Sequence, residues 1–119
     1  MEISLAPGTR FTPETNDPTR PETAIAADIR AAMSTVVDPE LGIDLATLRL
    51  VQEVEWTGSA LVVRFVFTTP FCPYGPALMA EMERALHEVL LVPFAIVLLP
   101  QAYDPPDEVK SLIGLPGYW

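Results

Sequence analysis

Leu61-Val62-Val63-Arg64-Phe65-Val66-Phe67-Thr68-Thr69-Pro70-Phe71-Cys72-Pro73-Tyr74-Gly75-Pro76 is the stretch on which the fold turns. Its first half alternates, with Leu61, Val63, Phe65 and Phe67 on one face and Val62, Arg64, Val66 and Thr68 on the other. That period of two predicts a β-strand. Pro70, Pro73 and Pro76 then restrict the connection. Beyond them the period changes: Leu78, Met82, Ala85, Leu86 and Val89 recur at helical spacing, with Glu81, Arg84 and Glu88 on the opposite side. The spacing predicts a helix over about 75–90. A strand, a constrained loop and a helix are thus adjacent, and Cys72 lies in the loop.

Working upstream, Thr57-Gly58-Ser59 reads as a short hairpin loop. Before it, Leu48, Leu50, Val54 and Trp56 alternate with Arg49, Val51, Glu53 and Glu55, with Gln52 as a polar break on the apolar face. This predicts a half-buried strand. Asp38-Pro39-Glu40-Leu41-Gly42 reads as a turn, in which Asp opens the turn and Pro fits its second position. Ile25, Ile29, Ala32, Met33 and Val36 predict a first helix over about 20–35, opened by a Thr19–Glu22 capping box and ended before Asp38-Pro39. Residues 1–18 hold Pro7, Pro13 and Pro18 without periodicity and read as a flexible arm, leaving 19–119 as a single domain.

Downstream, Pro93 ends the second helix. Phe94–Leu99 is a continuous apolar run, which suggests a strand covered on both faces. Pro105-Pro106 and a short helical stretch near 107–113 close the chain. The order is α-β-β-α-β with a tail. A hairpin followed by a helical crossover predicts an α/β (α+β) two-layer sandwich, a small mixed sheet with helices on one face.

Composition narrows the function. The 119 residues suit one domain. One cysteine excludes an internal disulfide and any multi-thiolate cage from a single chain. Sixteen acidic residues against seven basic ones give a net charge of −9, and the basic residues are scattered. Nucleic acid and anionic membrane surfaces are therefore poor partners. The first ten residues lack the basic and apolar regions of a signal peptide. With one reduced thiol, this points to the cytoplasm.

Cys72 follows a strand and precedes a helix. The partial positive charge and unpaired N–H groups of a helix N-terminus favour a thiolate. The competing reading is a buried, inert cysteine. Asp38 and Glu40 flank Pro39, and turn chemistry alone accounts for them. His87, the one histidine, lies four residues after Glu83 and reads as half of an exposed pair.

Taken together these segments resemble the MIP18 family (the DUF59 domain), whose members include SufT and the PaaD-type proteins and which is linked to iron–sulfur cluster assembly. Two segments carry the resemblance: Val36-Val37-Asp38-Pro39-Glu40-Leu41-Gly42-Ile43 and Thr68-Thr69-Pro70-Phe71-Cys72-Pro73. It extends from about Ala24 to Gly117. The resemblance implies an accessory factor, not an enzyme, with Cys72 as functional thiolate and transient metal ligand. Asp38, Glu40 and Thr69 would line the same site. The cargo would be a transient iron–sulfur cluster or iron, and the partners assembly proteins, client apoproteins or a second copy in a homodimer. Two departures stand out. Arg49 occupies a position where the family usually has glycine, and the additional C-terminal cysteines of PaaD-type proteins are lacking.

One thiolate per chain cannot hold a cluster that normally takes four protein ligands. Transient handling is therefore expected. Two rivals remain: an interaction module with an inert cysteine, and a glutaredoxin-like thiol enzyme. In the second, Cys72-Pro73-Tyr74 would match Cys-Pro-Tyr-Cys but for Gly75 in place of the second cysteine.

Overall fold

The computed structural model describes residues 4–68 and 74–113. The mixed α/β architecture is as expected: a four-stranded sheet in the spatial order Thr9–Phe11 (β1), Val51–Trp56 (β4), Leu61–Phe65 (β5) and Phe94–Leu98 (β6), with helices packed on it. Its central hairpin is β4 (Val51–Trp56) against β5 (Leu61–Phe65), antiparallel. Helix α3 (Gly75–Val89) crosses over to β6 (Phe94–Leu98), which runs parallel to β5. Helix α1 (Glu22–Met33) touches α3. Together the helices bury Ile29, Met33, Leu78, Met82 and Leu86 with Val54, Leu61, Val63 and Phe65 of the sheet. Burial of this apolar area, at roughly 25 cal/mol per Å², is the main source of stability.

Several expectations are corrected. The arm is not flexible throughout. β1 (Thr9–Phe11) pairs antiparallel with β4, and Phe11 is buried in the core. Three residues are too few to show a period. The Thr19–Glu22 capping box does not form. Thr19 bonds Asp17 instead, and Glu22 turns to Arg20. Pro21 is the N-cap residue and supplies no side-chain bond.

The expected strand from Leu48 begins later. Leu45–Leu48 is a single helical turn, α2, capped by Asp44, whose Oδ2 accepts from the Thr47 N–H at 2.9 Å. Gln52 marks a bulge: the register shifts between Val51 and Glu53, so Val51 and Val54 both face the core while Gln52 faces out. Two residues opposing one is what resets a strand's facing.

The run Phe94–Leu99 is a strand, but not one covered on both faces. β6 is the sheet's edge, and its residues are half-buried or exposed. The tail helix forms as α4 (Asp107–Ile113), with Val109 buried. Trp119 lies outside the described residues.

Candidate functional site

Asp38 organises the first segment. Val37–Asp38 (β2) and Ile43–Asp44 (β3) form a two-residue ladder. The turn between them closes by a Gly42 N–H bond to the Asp38 carbonyl at 2.8 Å. Gly42 takes φ +68°, a left-handed conformation that costs glycine little. Asp38 Oδ1 accepts from the N–H groups of Glu40 (2.9 Å) and Leu41 (3.3 Å). This is the turn chemistry expected of an Asp before Pro.

Turn chemistry does not exhaust Asp38. The side chain is 1 % exposed, and its Oδ2 accepts from the Thr68 hydroxyl at 3.1 Å. Thr68 is 6 % exposed and lies 30 residues further along the chain. A buried carboxyl must have its lone pairs satisfied, and three donors do so here. The bond joins the turn to the last described residue before the cysteine loop.

The other end of that loop is also anchored. Gly75 opens α3 and is buried against Phe67: a Cβ there would meet the Phe67 ring at 3.2 Å. Glycine allows this approach because it brings no side chain. Phe67 in turn packs edge-on against Phe65, with centroids 5.4 Å apart. Cys72 and Thr69 themselves lie outside the described residues. Glu40 is exposed.

Tyr103 is a site neighbour that pattern reading did not single out. Its hydroxyl donates to the Leu48 carbonyl at 2.6 Å, and its ring is buried. Burial, and then the nearby Asp38 carboxylate, push its pKa up to about 12. Tyr103 also lines a groove of about 340 Å³ with Phe67, Leu98 and Leu99. The groove lies beyond the carboxyl ends of parallel β5 and β6, the end of a parallel pair where α/β sheets bind ligands.

Arg49 adopts a left-handed conformation, φ 56°, at the C-cap of α2, and among the described residues it is the one non-glycine with positive φ. Its guanidinium reaches Glu108 at 2.7 Å and Glu14 at 3.9 Å. A glycine would adopt the same backbone without strain. His87 lies 3.8 Å from Glu83, as expected, and its ring centroid is 4.8 Å from that of Phe94, the two rings tilted by 60°. Among the described residues, no three His, Cys, Asp or Glu side chains group as a metal site, and no helix is long and apolar enough to cross a membrane.

Comparison with known proteins identifies the family. The family model described as "Iron-sulfur cluster assembly protein" matches residues 26–92. The "Fe-S protein maturation auxiliary factor YitW" of Bacillus subtilis is 35 % identical over 69 residues, covering 57 % of this chain and 68 % of that protein. The "Iron-sulfur cluster carrier protein" of Deinococcus radiodurans is 38 % identical over 58 residues, covering 49 % of this chain but 17 % of that protein. Among solved structures, a DUF59 domain from Bacillus anthracis superposes with a TM-score of 0.62 at 22 % identity, covering 77 % of this chain and 93 % of that one, a likeness of fold.

Proposed function

The chain belongs to the iron–sulfur cluster assembly protein family, and on that premise we propose that it is an auxiliary factor that takes up iron–sulfur cargo transiently at Cys72 and passes it to client apoproteins. The observation that carries this reading is the buried bond from Thr68 to Asp38. It ties the two segments that resemble the family's markers, and it leaves the cysteine loop to begin one residue later. Asp38 and Glu40 from the turn, with Thr69 and Cys72 from the loop, are the residues assigned to this site.

The chemistry asked of the chain is modest. Cys72 lies three residues before α3, and the positive end of a helix favours thiolate over thiol. A thiolate is a good ligand for iron. With one per chain, the other iron positions belong to sulfide and to the client's own ligands. Transfer is ligand exchange: a client thiol loses its proton and bonds the iron, while the iron–Cys72 bond breaks and Cys72 takes up a proton. Nothing is oxidised or reduced. The buried Asp38 bond holds the loop's first end during exchange, and the Phe67–Gly75 contact holds the other. The single thiol suits a reducing compartment such as the cytoplasm, where it would stay reduced.

The test is anaerobic assembly of a cluster on an apo-ferredoxin from supplied iron and sulfide, with and without the factor, followed by the acceptor's absorbance. Cys72→Ser is expected to reduce assembly to the rate without the factor. Assembly at the wild-type rate with Cys72→Ser overturns the role of the thiolate. A stable, stoichiometric cluster on the isolated wild-type chain overturns transient handling.

A further inference from the structure

The groove beside Tyr103 differs in kind from most of the surface. Phe67, Leu98, Leu99 and the stretch 100–103 line it, and none of them is charged. The chain has 16 acidic and 7 basic residues, so an uncharged lining restricts what can enter. An ionised group would leave water for a site with no counter-charge to offer. Phosphates, carboxylates and charged small thiols are therefore poor occupants. Aromatic and aliphatic side chains suit it. Its volume of about 340 Å³ is at the small end of ligand sites, which run from roughly 300 to 1,000 Å³.

The chain carries an occupant of this kind close by. Residues 114–119 read Gly-Leu-Pro-Gly-Tyr-Trp, with two adjacent aromatic side chains and no charged one. They follow α4, which is tied to the same place as the groove. Tyr103, a groove residue, donates to the Leu48 carbonyl. Arg49, the next residue, pairs with Glu108 of α4 at 2.7 Å, and Val109 is buried in the core. The 7 residues of α4 advance the chain by about 10 Å. Residues 114–119 extend up to roughly 20 Å, enough to run back along the helix with one turn on the way. Gly114 stands where helices commonly end on glycine and the chain changes direction. Pro116-Gly117 is a turn pair.

We propose that residues 115–119 dock in this groove, with Tyr118 and Trp119 against Phe67 and Leu98, and that the docked segment shields the cysteine loop. Phe67 links the two. Thr68 follows it and Gly75 packs on its ring, so both ends of the loop adjoin the groove. A short tether gives the segment an effective concentration in the millimolar range, so a weak apolar contact is enough to hold it. A client has to reach the groove from solution and displace the segment. The contact is thus autoinhibitory. Apart from Phe67, both sides of it lie outside residues 26–92, the part that matches the family, so the device is an addition to the family's domain.

The docking does not depend on what Cys72 does; the shielding rests on the role proposed for it above. Docking is read by tryptophan fluorescence of the full chain under reductant. The chain has 2 tryptophans, and Trp56→Phe leaves Trp119 as the reporter. Should Trp56→Phe not fold, the difference spectrum between wild type and Trp119→Phe reads the same residue. Trp119 is expected to emit to the blue of its position in urea and to resist quenching by acrylamide, equally at about 1 and 100 μM, since a contact within one chain is independent of concentration. Leu98→Asp and Ala102→Lys each place a charge in the groove at an exposed position. Circular dichroism checks that each variant is folded, and either suffices. Each is expected to shift the emission of Trp119 to that in urea and to remove its protection.

A Trp119 as exposed in the native chain as in urea overturns the proposal. So does protection that the folded groove variants leave unchanged, which places Trp119 elsewhere. Protection lost on dilution also overturns it, by assigning the groove to the segment of a second copy. In the assembly test Trp119→Ala is expected to raise the effect of the factor at least about twofold, since a site covered half the time is only half available. An unchanged effect, with Trp119 docked in the wild type, overturns the shielding. Cys72→Ser acting as wild type overturns the earlier reading and leaves the fluorescence result standing.

Discussion

Two regions of this molecule reverse the usual partition of polar and apolar groups, in opposite directions. At the Asp38–Thr68 junction a carboxyl and a hydroxyl are buried. Along β6 a row of apolar side chains and backbone groups faces out. Both are more informative than a buried leucine or an exposed lysine. The junction satisfies its polar groups internally, with three donors on one carboxyl. The edge has no strand on its outer side among the described residues. The first arrangement stabilises and positions one fold; the second presents an apolar strand at the surface. Mutations in the two regions should therefore differ in their effect on stability.

The largest effect is expected at the junction. Asp38→Ala leaves the Thr68 hydroxyl buried without its acceptor and removes the turn's two side-chain bonds. The cost is about 3 kcal/mol, measured by urea unfolding. Asp38→Asn keeps an acceptor and should cost about 1 kcal/mol. A double-mutant cycle with Thr68→Val should show coupling of about 1–2 kcal/mol. Coupling near zero would break the comparison, since the junction would then be no more than a turn. Val97→Lys on β6, by contrast, should shift unfolding of the monomer by less than about 0.5 kcal/mol, because exposed substitutions away from such features rarely cost more.

Tyr103 gives a smaller effect of the same kind as the junction. Tyr103→Phe removes the bond to the Leu48 carbonyl and should cost about 1 kcal/mol near neutral pH. It also changes the pH profile. In the unfolded chain the hydroxyl loses its proton around 10.0, in the folded chain only near 12. A folded pKa raised above the unfolded value means that the unfolded state releases the proton first as pH rises. The stability contributed by neutral Tyr103 is thus complete below pH 10 and lost as pH climbs towards 12. The gap in melting temperature between wild type and Tyr103→Phe should narrow over that window and stay constant below it. A constant gap up to pH 12 would remove Tyr103 from the set of buried polar groups.

The sequence makes one region far more legible than the other. β5 and α3 are readable because each keeps one unbroken period. Asp38 is readable through the first of the two segments that resemble the family, while Cys72, in the second, lies outside the described residues. Counting alternation from Leu61 assigns Thr68 to the outer face, but β5 ends at Phe65 and Val66 is already buried, so the count has expired. The resemblance points to the neighbouring Thr69 instead. Tyr103 sits in a proline-rich tail where no periodicity points to burial. β6 fails for a different reason. A uniformly apolar run has no faces to count, and whether its far side is covered depends on which strands exist beyond it. Gln52 stands out as a break in alternation, and that break is itself the bulge.

The smallest effect is expected at Arg49, which lies between the two regions in kind: an exposed side chain on a strained backbone. Its φ of 56° costs a non-glycine residue about 1 kcal/mol. The guanidinium gives part of this back through Glu108 and Glu14, both surface pairs of about 0.2–1 kcal/mol at most. Arg49→Gly relieves the strain, loses both pairs and adds freedom to the unfolded chain. The net change should fall within about 0.5 kcal/mol of zero in low salt. In high salt the ion pairs are screened while the strain is not. The variant should therefore gain on the wild type as salt rises, read as the difference between their urea midpoints. Arg49→Lys keeps the charge and the strain but loses the planar fork, so it should fall below both. If Arg49→Gly instead becomes relatively less stable as salt rises, backbone strain does not decide the balance at this position and the glycine expected there has another cause.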